Sequence, residues 1–155
     1  MGSLYNLSLI LHSYNRWLIL ASLIGIIGLA WIQKKQGISF HHRIPVLQKV
    51  VLISLDFQLT LGLLLYYYSP FPRYFWNNLP EAMKEREIRF FGLEHITVML
   101  VAVGIIHYGI LKSNKKVMDN DKYKSLIIWM IIGLFLILSS IPWSFSPLIS
   151  RPLFR

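Results

Sequence analysis

Four apolar stretches, each of about 20 residues or more, alternate with polar segments along the chain. They cover about residues 7–31, 46–68, 88–111 and 124–143, and we call them spans 1 to 4. A helix that crosses roughly 30 Å of hydrocarbon needs about 20 apolar residues, so each stretch is long enough to span a membrane. Short connections favour antiparallel neighbours. The pattern therefore predicts an all-α fold, an integral membrane four-helix up-down bundle that forms one transmembrane domain.

The longest connection joins span 2 to span 3 and contains its own helical signal. Pro80 is followed by Glu81 and Glu85, and proline at the first helical position with acids in the early turns is typical of a helix start. We expect a short helix over about residues 80–87, lying on the membrane surface.

Composition supports a membrane protein and narrows its chemistry. The 155 residues are 55% hydrophobic, carry a net charge of +9 and include no cysteine. The lack of cysteine excludes disulfides, cysteine-ligated zinc, iron–sulfur clusters and covalently attached c-type haem. The basic residues cluster in the loops, where they suit anionic lipid headgroups. Membrane lipid is therefore the expected partner, and nucleic acid is not.

The same loops predict an orientation. Four spans place both termini on one side, side A, together with the long connection. The two short loops on the other side, side B, hold nine Lys or Arg, whereas side A has six, offset by three Glu. The positive-inside rule then places side B in the cytoplasm. For a bacterial inner membrane, the termini are predicted to be periplasmic.

Polar residues inside the spans are the candidates for function, because ionisable groups are costly in hydrocarbon. His12 and Arg16 of span 1 match Glu94 and His95 of span 3 in depth, roughly 8 to 13 Å below the side A end at about 1.5 Å per residue. The matched depth predicts an Arg16–Glu94 salt bridge between the spans. Alternatively, Arg16 binds an anionic headgroup or a cofactor propionate.

The two histidines at matched depth admit three interpretations. Each imidazole could simply bond a neighbouring helix. His12 and His95 could ligate a haem b iron from both sides, as in bundle-core sites. A quinone head group could instead bond to histidine and Glu94 and stack against Trp17 or Trp143, with protons passing through Glu94.

Asp56 and Gln58 lie deeper, near the middle of span 2. Gln58 joins the candidate cofactor-binding residues. Asp56 could relay protons or bond a hydroxyl such as that of Thr60, one turn away. His107 lies about one turn from side B.

Local motifs also occur in a fixed order along the chain: Leu11-His12-Ser13-x-x-Arg16-Trp17, Gln58-x-x-x-Gly62-Leu63-x-Leu65-Tyr66, Arg89-Phe90-Phe91-x-x-Glu94-His95, Ile141-Pro142-Trp143 and Arg151-Pro152-Leu153-Phe154. This set resembles a family of short four-span proteins from Bacteroidetes labelled cytochrome B, and the resemblance covers nearly the whole chain. It implies an inner-membrane protein with a b-type haem ligated by His12 and His95. Family members often have histidine where this chain has Asp56. If that histidine were an iron ligand, this chain could not bind haem in the same way.

Two functional hypotheses follow from these residues. The first is a cytochrome-b-like electron-transfer protein that binds haem b or a quinone near the periplasmic face. Its candidate residues are His12, Arg16, Gln58, Glu94, His95 and Trp143. The second is a non-catalytic accessory subunit of a larger inner-membrane complex, whose partners are other subunits and whose buried charges fix helix packing. The sequence leaves open whether the protein is an enzyme.

Overall fold

The computed structural model describes residues 2–144 and residue 149, so the motif at 151–154 lies outside the described residues. Four long helices form the molecule: Gly2–Gln36, Ile44–Tyr68, Arg86–Asn114 and Asp119–Ser140. We keep the names spans 1 to 4 for them. Each is long and apolar enough to cross a membrane, and the described residues contain no strand. The predicted all-α up-down bundle is confirmed, and the chain is a multi-pass membrane protein.

Span 4 begins and ends earlier along the chain than the apolar pattern indicated. Its helix stops at Ser140, and Ile141 is extended, with φ −78° and ψ 129°. The ring of a proline disfavours helical geometry in the residue before it, and Pro142 follows. Trp143 therefore lies beyond the helix.

The connection between spans 2 and 3 is helical, but over different residues from the expected 80–87. A helix covers Pro70–Asn77, and a single turn covers Leu79–Ala82. The first helix starts where Ser69 caps it, its hydroxyl accepting from the Phe71 amide, with Pro70 at the first helical position. The same Ser-Pro pair that ends span 2 therefore starts the surface helix.

The four spans do not pack equally. Span 3 packs most extensively on span 4, span 1 packs on span 2, and spans 1 and 4 also meet. Two glycines let spans 3 and 4 approach closely, since a Cβ at Gly109 would collide with Trp129 and one at Gly133 with Ile106. Such small residues are how membrane helices gain packing contacts without a hydrophobic driving force.

Spans 2 and 3 have sparse contact with each other, and polar groups join them at three heights. We call this junction the seam, and it consists of Gln48–Asn114 at 3.0 Å, Asp56–His107 at 3.2 Å and the Tyr66 hydroxyl on the Gly92 carbonyl at 2.7 Å. Apolar packing is limited here. The seam is therefore the side of the bundle where space is left between helices.

At side B, residues at the start of span 4 form hydrogen bonds with the end of span 1 and the loop that follows it. Asp119 accepts hydrogen bonds from the Phe40 amide at 3.1 Å and from Lys122 at 3.0 Å. Tyr123 donates to Gln33 at 3.0 Å. Asp119 also suits the positive end of the span 4 helix dipole.

The close approach of spans 3 and 4 predicts a position-specific cost. Gly109→Ala should destabilise the protein by about 1–3 kcal/mol, as overpacking does, because the new methyl group meets Trp129 near its backbone. The measurement is the free energy of unfolding in mixed detergent micelles.

Gly104→Ala on the same span is the matched control, because a Cβ at Gly104 would meet nothing within 4 Å. It should be neutral or slightly stabilising, since alanine favours helix over glycine. Equal effects of the two substitutions would contradict the packing described.

Candidate functional site

A π-helical turn, Phe90–Glu94, interrupts span 3 directly before His95. Each turn of a π-helix takes in one more residue than an α-helical turn, and such turns are frequent at functional sites. Residues five apart therefore come to the same side of the helix. Arg89 and Glu94 form an ion pair of 2.6 Å by this spacing.

The expected Arg16–Glu94 salt bridge is wrong, because Glu94 pairs with Arg89 of its own helix. Arg89 also donates to the Met83 carbonyl at 2.7 Å. Glu94 is 46% exposed and lines a cavity of about 150 Å³ with Arg86 and Ser139. Glu94 and His95 are neighbours in sequence, yet their side chains line different cavities.

A cavity at the side A end, which we call the main cavity, has a volume of about 280 Å³ and is lined by all four spans. Its lining is mostly apolar. The polar side chains that reach it are Tyr5, His12, Ser13, Arg16, Gln58, Tyr66, Ser69 and His95. A mostly apolar cavity with a few convergent polar groups is the usual form of a small-molecule site. The structure therefore brings His12, Arg16, Gln58 and His95 together.

His95 is held in one orientation. Its Nδ1 lies 2.8 Å from the Ser140 carbonyl oxygen, which can only accept, so Nδ1 carries the proton and donates. Phe90 and Phe91 pack against the ring with centroids 5.6 and 6.4 Å away. In the neutral imidazole, Nε2 then keeps a lone pair. A backbone carbonyl that fixes the tautomer in this way is typical of ligand-binding histidines.

His12 is the less satisfied of the two histidines. Its Nδ1 is buried and has no hydrogen-bond partner among the described residues. Gly62 of span 2 leaves room for the ring, since a Cβ there would lie 3.4 Å from His12 Cε1. A buried polar atom without a partner costs about 1–3 kcal/mol, so a ligand that bonds to it gains that free energy back.

Gln58 lines the main cavity but already has protein partners. Its amide donates to the His12 carbonyl oxygen at 3.0 Å, and its oxygen accepts from Asn15 at 2.9 Å. Asn15 also donates to the Ser54 carbonyl at 2.8 Å. This network fixes span 1 against span 2 beside His12, so Gln58 serves chiefly to position the site.

Trp143, the predicted stacking residue, is not among the residues that line the main cavity. Its indole donates to the Leu138 carbonyl at 3.0 Å and its ring meets Trp17 edge-on at 6.2 Å. The Arg16 guanidinium lies 5.4 Å from the centre of the Trp17 ring. Trp17 therefore contacts Arg16, which lines the cavity, and Trp143 contacts Trp17, but neither tryptophan lines the cavity itself.

Tyr66 lines the main cavity, a role that the sequence analysis did not assign to it. Its position beside Tyr67 suggested instead that it belongs to an interfacial aromatic belt. Tyr66 accepts from the Trp76 indole and donates to Gly92 of the π-helical turn, both at 2.7 Å. Tyr67 faces outward. The signal was present in the spacing: Gln58, Gly62 and Tyr66 recur every four residues on one helical face.

Two exposed leucines line the main cavity on the side where spans 2 and 3 have sparse contact. Leu63 of span 2 and Leu100 of span 3 both line it and are 48% and 46% exposed. The gap between these two spans is therefore the candidate entry for a ligand that comes from the hydrocarbon layer.

Asp56 points away from this cavity. Asp56 lies two positions before Gln58 in the same helix, and this spacing places the two side chains on different faces of the helix. Its carboxylate lies 3.2 Å from Nε2 of His107 and is 62% exposed. Thr60 donates to the backbone carbonyl of Asp56, not to the carboxylate.

The described residues contain no group of three or more His, Cys, Asp or Glu side chains that could hold a metal ion. A haem iron needs only two axial ligands, so His12 and His95 retain that possibility. No family model, curated protein or solved structure matches this chain.

The Tyr66 hydroxyl joins three elements, so its loss has a predictable cost. Tyr66→Phe leaves the Gly92 carbonyl and the Trp76 indole without this partner, and we expect about 1–3 kcal/mol of destabilisation. Proteolysis after Arg73 should also become faster. Unfolding in detergent and limited trypsin digestion measure the two effects.

Tyr67→Phe removes a hydroxyl from a residue that is 74% exposed and serves as the control. It should change neither stability nor cleavage. A Tyr66→Phe protein that matches this control in both measurements would contradict the role assigned to the hydroxyl.

Proposed function

We propose that the protein binds a quinone in the main cavity and takes part in electron transfer within a bacterial inner membrane. The observation that carries the proposal is the position of His95. Its tautomer is fixed by Ser140, and its ring lines a mostly apolar cavity whose lining includes the exposed Leu63 and Leu100 of two membrane-spanning helices. A membrane-soluble ring with polar oxygens matches both features.

The polar groups suit both redox forms of such a ligand. A quinone oxygen accepts hydrogen bonds, and the Arg16 guanidinium and a ring N–H of His12 are donors. A quinol hydroxyl donates, and Nε2 of His95 keeps a lone pair to accept. The site can therefore hold the ring before and after it gains protons.

The apolar parts of the cavity suit the rest of the molecule. The cavity volume of about 280 Å³ is just below the roughly 300–1,000 Å³ of typical ligand pockets, and it accommodates a head group of one or two rings. A long apolar tail can leave between Leu63 and Leu100 into lipid.

Haem b is the second candidate, and the observation that favours it is that His12 and His95 line the same cavity from different spans. The donor set fits: two imidazoles that could ligate the iron, with the Arg16 guanidinium lining the same cavity, where it could bond a propionate. When bound, a haem would supply one-electron chemistry. The macrocycle is larger than a quinone head group, so a cavity of about 280 Å³ favours the quinone.

An accessory role is compatible with the outer surface. Gly25 and Gly28 form a thin ridge on span 1, and a Cβ at either would meet nothing within 4 Å. A helix of another subunit could approach closely there. The resemblance to four-span proteins labelled cytochrome B and the basic loops of side B support an inner-membrane location with periplasmic termini.

Quinone binding is testable through tryptophan fluorescence, since the Trp17 ring lies 5.4 Å from the guanidinium of Arg16, which lines the cavity. A short-chain quinone should quench the emission of the purified protein saturably. His95→Ala should weaken binding about tenfold, since a factor of ten corresponds to about 1.4 kcal/mol, the scale of one hydrogen bond.

His42→Ala, in an exposed loop, is the control and should bind as the unaltered protein does. Non-saturable quenching, or equal affinities in both variants, would contradict the proposal. A Soret band that disappears in His12→Ala and His95→Ala would instead favour haem. Extraction of the native membrane-purified protein followed by mass analysis identifies the quinone.

A further inference from the structure

The cavity of about 150 Å³ beside Glu94, which we call the second cavity, carries both signs of charge. Its cations are Arg86 and Arg89 of span 3, its anion is Glu94, and Ser139 of span 4 adds a hydroxyl group. All four side chains line the space, so a molecule that enters it meets them directly. None of the four lines the main cavity, and a quinone there does not account for them.

The two arginines present hydrogen-bond donors to the second cavity. Arg89 is held by two bonds, from Nε to Glu94 at 2.6 Å and from Nη1 to the Met83 carbonyl at 2.7 Å. A guanidinium has five N–H donors, so Arg89 keeps others for a ligand. The guanidinium of Arg86 bonds to no described residue. Two guanidinium groups in one space suit the oxygens of a phosphate group.

The remaining two polar groups present acceptors. Ser139 donates its hydroxyl hydrogen to the Leu136 carbonyl at 2.8 Å, so only the lone pairs of its oxygen are left. Glu94 bonds to Arg89 through Oε1, and its Oε2 bonds to no described residue. A carboxylate can only accept. The second cavity therefore combines donors for an anion with acceptors for a cation that carries N–H groups.

The surface next to the second cavity is apolar on the side toward side B. Val98 lines the cavity. One turn further along the spans, Val101 and Phe135 are 49% and 69% exposed. Their spacings of three and four residues from Val98 and Ser139 place them on the same helix faces as the cavity lining. A molecule with a charged head group and an apolar chain matches this order.

We propose that the second cavity binds the head group of a zwitterionic phospholipid with a primary ammonium group, a phosphatidylethanolamine, whose acyl chain lies along Val101 and Phe135. Its phosphate accepts hydrogen bonds from the two arginines, and its ammonium group donates to Glu94 and Ser139. A trimethylated ammonium group has no N–H to donate, and a head group without a cation leaves the carboxylate facing an anion. The assignment does not depend on the quinone function.

The first arm of the test measures lipid affinity by native mass spectrometry of the protein in detergent. Phosphatidylethanolamine, phosphatidylcholine and phosphatidylglycerol with identical acyl chains are titrated separately. Phosphatidylethanolamine should bind about tenfold more tightly than either of the others, which is the scale of one hydrogen bond to a charged group. Equal affinities, or tightest binding of phosphatidylglycerol, would overturn the proposal.

Four variants separate the two halves of the head group. Ser139→Ala and Glu94→Gln should reduce the affinity for phosphatidylethanolamine to that for phosphatidylcholine and leave the latter unchanged. Arg86→Gln should weaken both lipids about tenfold, because both carry the phosphate. Arg73→Gln is the control, since Arg73 is exposed at side A and does not line the cavity.

Ser139→Ala removes one hydroxyl group from an exposed position, so its unfolding in detergent should match that of the unaltered protein, and its lipid affinities then report recognition alone. A Ser139→Ala protein that keeps the full preference for phosphatidylethanolamine would contradict the ammonium contact. Equal weakening by Arg73→Gln and Arg86→Gln would contradict the phosphate contact.

The last arm distinguishes a membrane lipid from a soluble ligand with the same head group. Free phosphoethanolamine lacks the acyl chain that packs on Val101 and Phe135, and burial of apolar surface contributes to affinity. It should displace the bound lipid only at concentrations at least about a hundredfold above those at which the lipid itself competes. Displacement at equal concentrations would overturn the assignment to a lipid.

Discussion

Inside the hydrocarbon layer a polar side chain finds no water, so it must bond to protein or line a cavity. Much of this bundle follows from that constraint. Asn15 and Gln58 tie span 1 to span 2, and Ser140 of span 4 holds His95 of span 3. Where spans 2 and 3 pack loosely, polar contacts join them instead, as between Asp56 and His107. The space left beside those contacts is the main cavity.

Sequence length and hydropathy were sufficient for the four spans and their up-down order, because a membrane-crossing helix needs a minimum apolar length. They were also sufficient for depth: His12, Arg16 and His95 line one cavity, as the residue count indicated. Sequence length and hydropathy did not predict which direction each side chain faces around its helix axis. Glu94 was assigned to Arg16, but a π-helical turn places it beside Arg89, and no residue pattern signals that extra residue.

The partner of Asp56 was also not predicted from the depth of residues in the spans. The depth of Asp56 suggested a midplane acid that relays protons or bonds a hydroxyl such as that of Thr60, and His107 was placed about one turn from side B. Depth was counted in residues from the end of each span, and this count is inaccurate when antiparallel spans differ in length. Asp56 and His107 therefore meet in the seam. Tyr66 is different, because its spacing from Gly62 already marked it as inward-facing. The helical periodicity of span 2 indicated the orientation of Tyr66, but its place in a run of three tyrosines led to its assignment to an interfacial aromatic belt.

Most polar groups at the side A end are satisfied by protein, and two imidazole nitrogens are the exception that defines the site. Nδ1 of His12 has no bond to any described residue, and Nε2 of His95 keeps its lone pair once Ser140 has taken the proton on Nδ1. We propose that a quinone ring lies between them.

Photoaffinity labelling with a quinone that carries an azide on its ring tests that claim most directly. After irradiation in lipid and mass mapping, we expect adducts on cavity residues such as Tyr66 and Met99, and their loss when an excess of unmodified quinone competes. Adducts confined to outward-facing residues such as Phe135 or Ile53, unaffected by the competitor, would contradict it.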